Sequence, residues 1–209
     1  MKVAIIAWGS LIWCPRSLAI RSKWHPDGPC LPVEFARKSA GMRVTLVLVP
    51  GLVPMYQRSR TYWAMSSFDS ITDAAENLRQ REGSPSLKPI HAAGLQFAAR
   101  SLGGGTNPDP KVGEAVLEWL DTHDVDAAVW TELGPETFNP TGETPLTDQV
   151  VTFLRSLDRA AKHYAREYVE FAPVAVDTPV RKAIERELGW KRRDLPESLF
   201  ETALPLEKC

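Results

Sequence analysis

A chain of 209 residues, 44% hydrophobic and 24% charged, has the composition of an ordinary globular protein and can bury roughly 70% of its unfolded surface without a metal or disulfide staple. Its 25 basic and 26 acidic residues nearly cancel, which excludes the electrostatic footprint of a nonspecific nucleic-acid binder and favours small-molecule or protein partners. No stretch approaches the roughly 20 apolar residues of a membrane span, and Trp13-Cys14-Pro15-Arg16 makes a poor end for a signal peptide, so a cytoplasmic protein with no membrane partner is expected.

The chain opens on Val3-Ala-Ile-Ile-Ala-Trp-Gly-Ser-Leu-Ile-Trp13, a short apolar run broken at Gly9-Ser10. This reads as a buried strand that delivers a tight backbone loop. Val33 to Phe35 and Arg43 to Val49 are rich in branched apolar residues, the second ending at the turn pair Pro50-Gly51, and Tyr62 to Ser67 is a further strand candidate. Ser70 has the chemistry of a helix N-cap, with Asp73 three residues on and Gly83 as a closing residue.

Within that helix, Ile71, Ala75, Leu78 and Glu82 fall on one stripe at about 100° per residue. A carboxylate that extends an apolar stripe must be solvated, paired or functional, because burying it unpaired is costly. It can pair with Arg79, Arg81 or Lys88 at the surface, or it can serve as an acid/base group facing the Gly9-Ser10 loop.

Farther on, Ser101 to Pro110 is loop by composition; its triple glycine lacks the Lys-Ser/Thr ending of a phosphate-binding P-loop. Val112, Val116, Trp119 and Leu120 mark a helix reaching His123, Asp126 to Thr131 a short strand, and Glu132 to Pro145 another loop. One long helix is expected from Thr147, with Val150, Leu154, Leu157, Ala161, Tyr164 and Tyr168 forming a packing seam. Pro179 then opens a shorter helix closed by Gly189. The first half is therefore mostly strand and the second mostly helix.

Other constellations are weak. His163 and Glu167 stand four apart, but with no third ligand they read as a surface pair rather than a metal site. Ser10 lacks the second glycine of a nucleophile elbow. Cys14, Cys30 and Cys209 form no Cys-x-x-Cys pair and read as reduced thiols.

Ile6-Ala-Trp-Gly-Ser-Leu-Ile-Trp13 resembles the glycine-serine loop of the gamma-glutamylcyclotransferase-like superfamily, in which Ser-Leu-x-Trp is a frequent continuation. Tyr62-Trp-Ala-Met through Leu78-Arg-Gln-Arg-Glu-Gly83 is similar to that family's strand, helix and Arg-Glu segment, in the same order and at a similar separation. The resemblance covers about the first hundred residues. It implies an α+β fold, a small mixed β-barrel with flanking helices: a single domain over 1–209, with residues 1–100 as barrel core and 101–209 as a helical elaboration with some closing strands.

It also implies an activity, the cyclisation of a γ-glutamyl amine or peptide to 5-oxoproline with release of the amine. Glu82 would be the catalytic acid/base, Trp8, Gly9, Ser10 and Leu11 the substrate-binding loop, and no metal or organic cofactor is implied. Trp8 stands where the family commonly has tyrosine, and the glycine-tyrosine continuation after the glutamate is missing, leaving Tyr164 or Tyr168 to supply that contact. The alternative is a non-catalytic small-molecule-binding or regulatory protein on the same barrel, with the helical half as a protein interface or the seam of a homo-oligomer.

Overall fold

Alternation in the first strand sets up the whole molecule. In β1, Val3–Ala7, all five residues are apolar and buried, as in a strand covered on both faces. Val3, Ile5 and Ala7 point into one apolar cluster, while Ala4, Ile6 and, just past the strand, Trp8 point into another, the period-two pattern of a pleated chain. The computed structural model describes residues 1–50, 58–135, 138–139, 142–143 and 145–200.

After β1 the strands in chain order are β2 (Cys30–Leu31), β3 (Val33–Ser39), β4 (Arg43–Leu48), β5 (Ser59–Arg60), β6 (Tyr62–Met65), β7 (Ile90–Gly94), β8 (Phe97–Ser101) and β9 (Ala127–Thr131). The helices are α1 (Ile71–Glu82), α2 (Pro110–Leu120), α3 (Leu146–Ser156), α4 (Arg159–Phe171) and α5 (Pro179–Leu188). Five strands form one mixed sheet in the order β6-β1-β9-β7-β8. In it β1 runs antiparallel to β6 and parallel to β9. The remaining strands pair as two ribbons, β2 with β5 and β3 with β4. Among the described residues these pairings do not close into a ring, so the molecule is mixed α+β, with one open sheet and two ribbons.

The two faces of the sheet are covered differently. Ala74, Ala75 and Leu78 of α1 pack with Val3, Ile5, Ile90, Ala92 and Val129 on one side. On the other, Ala4, Ile6, Ala93, Ala128 and Trp130 meet α2, α3, α4, α5 and the β3–β4 ribbon. Although β9 comes from the second half of the chain, it lies between β1 and β7, so the core is assembled from both halves. None of the described helices is long and apolar enough to cross a membrane.

The α1 boundaries follow the sequence signals. Ser70 Oγ accepts the Asp73 amide at 3.4 Å, and Gly83 ends the helix at φ 65°, ψ 24°, a left-handed conformation that glycine adopts without steric cost. The single helix expected from Thr147 is instead two. Leu157 is extended at φ −66°, ψ 146°, and the Asp158 side chain accepts the Ala161 amide at 2.8 Å, capping α4 as a new helix. Of the three cysteines expected to be reduced, Cys14 is free and exposed, Cys30 is disulfide-bonded instead, and Cys209 lies outside the described residues.

Where α5 meets β3, a carboxylate is buried. Glu34 is 4% exposed; it accepts the Phe35 and Val180 amides at 2.7 and 3.2 Å and a hydrogen bond from the Thr178 hydroxyl. Burial outweighs these three donors and raises its pKa from 4.5 to about 7. A carboxyl whose folded pKa is raised favours the folded state fully below its unfolded value and loses that contribution as pH climbs through the folded value. Stability is therefore expected to fall by about 3 kcal/mol between pH 4.5 and 7 from this group. Chemical denaturation across that range should show the slope in the native protein and its disappearance in Glu34→Gln; an unchanged slope in the variant would assign it to other groups.

Candidate active site

Past β1 the chain turns back on itself. The Ile12 amide donates to Gly9 O at 3.0 Å and the Cys14 amide to Ser10 O at 2.9 Å. These bonds wind residues 9–14 into a turn whose leading amides, those of Gly9, Ser10 and Leu11, meet no acceptor among the described residues. Successive free amides at the start of such a turn suit a carboxylate or other anion. The turn is tied down by Trp8, 8% exposed, whose indole N–H donates to Leu46 O on β4 at 3.3 Å.

Gly9 is required by its neighbour. A Cβ there would lie 2.7 Å from Tyr168 Oη, and Tyr168 is itself pinned: its hydroxyl accepts the Leu46 amide at 3.4 Å and Trp13 packs edge-on at 5.3 Å. Its pKa is pushed up to about 12, chiefly by burial, so the hydroxyl stays protonated and can donate into the cavity. Gly9→Ala is expected to cost about 1–3 kcal/mol by overpacking and to disturb the loop, whereas Gly9→Ala with Tyr168→Phe should recover part of the loss. Thermal melts of the two single variants and the double variant check this; strictly additive losses would refute the contact.

Glu82 ends α1 on the wall facing this turn. Its side chain is 21% exposed and pairs with Arg81 at 3.1 Å. Arg81 is 6% exposed; its guanidinium donates to Glu82 Oε1 at 3.1 Å, Ser10 Oγ at 3.2 Å and Cys14 O at 2.7 Å, and its Nε has no hydrogen-bond partner among the described residues. One buried fork thus joins the carboxylate to the turn. Burial raises the Glu82 pKa above its ordinary value, opposed by Arg81 and more weakly by Arg16. That balance suits a proton carrier better than a fully solvated carboxylate would.

Trp8, Gly9, Ser10, Leu11 and Glu82 line one cavity of about 1090 Å³ with Arg81 and Tyr168. All five residues singled out from the sequence therefore line the same cavity. Of the two tyrosines considered, Tyr168 reaches Gly9 while Tyr164 is 59% exposed at the rim. His163 and Glu167, read as a surface pair, part company: Glu167 lines the cavity, His163 packs against Tyr164 at 5.8 Å, and no ion pair joins them among the described residues. Arg81 was missed as a site residue; its adjacency to Glu82 in an Arg-Glu pair was the available signal. Among the described residues no three His, Cys, Asp or Glu side chains are grouped to hold a metal ion.

Compared with known proteins, the chain matches no family profile, no curated sequence and no solved structure.

Proposed function

We propose that this cavity binds a γ-glutamyl compound and closes its γ-glutamyl chain into 5-oxoproline, as the resemblance to the gamma-glutamylcyclotransferase-like superfamily implies. The observation that carries the reading is the Glu82–Arg81–Ser10 link, which joins a sheltered carboxylate to a turn with free amides. The fold we infer with it is the small barrel of that superfamily, with the five-stranded sheet as its larger arc and the β3–β4 and β2–β5 ribbons as the remainder.

In the reaction, Glu82 takes a proton from the substrate's α-ammonium. The freed amine attacks its own γ-carbonyl, a new N–C bond closes the five-membered ring, and the old C–N bond breaks as the leaving nitrogen receives the proton from Glu82; the ring nitrogen gives up its second proton through the same carboxylate, and the departing amine carries it away as an ammonium. One carboxylate thus serves as base and then as acid. The Gly9, Ser10 and Leu11 amides hold the α-carboxylate without offering a competing proton. A pocket that holds the chain folded supplies the orientation.

One observation favours the alternative of a non-catalytic binding protein: the Arg81–Glu82 ion pair stabilises the ionised carboxylate and resists its protonation. The two readings separate on a panel of γ-glutamyl amines, amino acids and peptides. Chromatographic detection of 5-oxoproline from any member supports the enzyme; ligand-induced thermal stabilisation without product supports the binder.

A further inference from the structure

A second hollow lies on the outer side of α4. It holds about 660 Å³, Arg159, Lys162, His163 and Arg166 line it together with Trp190, and no carboxylate does. Tyr164 is the one residue it shares with the main cavity.

Helical spacing brings these charges together. Arg159, Lys162, His163 and Arg166 stand at i, i+3, i+4 and i+7 of α4, a single stripe on which neighbours have their Cβ atoms about 5–6 Å apart. Ala165 and Tyr168 take the opposite side of the helix into the core. The stripe works against the helix that carries it. Lys162 and Arg166 are a like-charged i, i+4 pair, and Arg159, the first residue of α4, adds a cation to the positive end of the helix dipole. The first turn holds no acidic residue, and the side chain of the N-cap, Asp158, is turned to the Ala161 amide.

The protein answers only one of these cations. Arg166 Nε donates to Glu170 Oε1 at 2.6 Å, and the other oxygen of this carboxylate holds Arg193 Nε at 2.8 Å. Glu170 is 2% exposed; it fixes Arg166 and leaves that guanidinium's terminal nitrogens without a hydrogen bond among the described residues. Arg159 and Lys162 are in no ion pair among the described residues. An anion lying along the stripe would offset both the like-charge repulsion and the unfavourable charge at the helix end.

The crowding of the cations selects among anions. An extended acidic peptide presents same-face side chains only about every 6.8 Å, and successive phosphates of a nucleic acid are separated by a sugar. Phosphates joined directly share an oxygen, so their charges fall closer together and fit one bounded hollow. We propose that this hollow is a second ligand site, for a small molecule bearing a chain of two or more phosphate groups, with Arg159, Lys162 and Arg166 as its anchors. It stands whether or not the main cavity closes a γ-glutamyl ring.

The test is calorimetric titration of the full chain with orthophosphate, pyrophosphate, inorganic tripolyphosphate, a nucleoside triphosphate and a single-stranded oligonucleotide. Affinity should rise about tenfold per added phosphate, the size expected of a charge-assisted contact, and should fall with added salt. Arg159→Gln and Lys162→Gln should each weaken tripolyphosphate about tenfold, Lys162→Arg should keep most of the affinity, and Lys111→Gln, exposed on α2, should change nothing. Thermal melts confirm folding. Amide chemical shifts locate the ligand: tripolyphosphate should move residues 159–166 and spare Gly9, Ser10 and Leu11. No binding of tripolyphosphate, affinity untouched in both glutamine variants, or shifts confined to residues 9–11 overturns the site. An oligonucleotide that binds the same residues more tightly than the triphosphates overturns the small-molecule assignment.

Discussion

Glu82→Gln is expected to lower 5-oxoproline release by roughly 10²- to 10⁴-fold, the usual contribution of one positioned acid/base group, with little change in melting temperature. The amide is nearly isosteric and its oxygen can still accept from Arg81 Nη1, now 3.1 Å from Glu82 Oε1, so the fork and the turn should hold. Only proton transfer is lost. Because the ionised carboxylate starts the cycle, the rate of the native protein should fall as pH drops through the Glu82 pKa, and burial sets that limb above the ordinary carboxyl range. A pH–rate profile without an acid limb, or a glutamine variant within tenfold of the native rate, would remove Glu82 from the chemistry.

The largest loss of stability is expected at Arg181. This residue is 1% exposed, and its guanidinium donates to Pro173 O and Val176 O at 3.1 Å each and to Val169 O at 3.0 Å. Val169 lies in the last turn of α4, whose end carbonyls lack helical partners and attract a cation. Arg181→Met fills much of the same volume but removes a charged donor from all three carbonyls; Val169 O and Pro173 O keep the Ala172 and Val176 amides at 3.3 and 3.1 Å, while Val176 O is left with no donor among the described residues, and the three lost charge-assisted bonds together cost about 3–5 kcal/mol. Equilibrium denaturation measures it, and a loss under 1 kcal/mol would show that the carbonyls find other donors. Tyr168 immediately precedes Val169, so the same variant should also loosen the wall against Gly9 and lower activity beyond the fraction unfolded.

What the sequence revealed and what it hid divide along physical lines. The limits of α1 were legible because capping is local: Ser70 and Gly83 act within one turn of themselves. The shared stripe of Leu78 and Glu82 was legible for the same reason. The break between α3 and α4 was not read, since Leu157 continues the apolar spacing even though its backbone is extended; the signal overlooked was Asp158, an N-cap residue type inside the seam. β7 was passed over because His91, Ala92, Ala93 and Gly94 have weak strand propensity and owe their place to pairing with β9, a contact no short window contains. The site was half visible. The turn and Glu82 could be named, but that Arg81 would fasten one to the other, and that Tyr168 would close over Gly9 from far along the chain, are outcomes of tertiary packing.

The parallel partnership of β1 with β9 has a consequence for how the protein is made. Val3, Ala4 and Ile5 lie beside Ala127, Ala128 and Val129, so during synthesis the first strand leaves the ribosome long before its central neighbour exists. Until then one side of Val-Ala-Ile-Ile-Ala is a bare, uncharged ribbon of unsatisfied amides and carbonyls, the kind of edge that recruits strands from other chains. A nascent chain halted before residue 127 would thus be a hazard to itself, and rapid elongation or a chaperone that masks the leading strand would raise the yield of native protein.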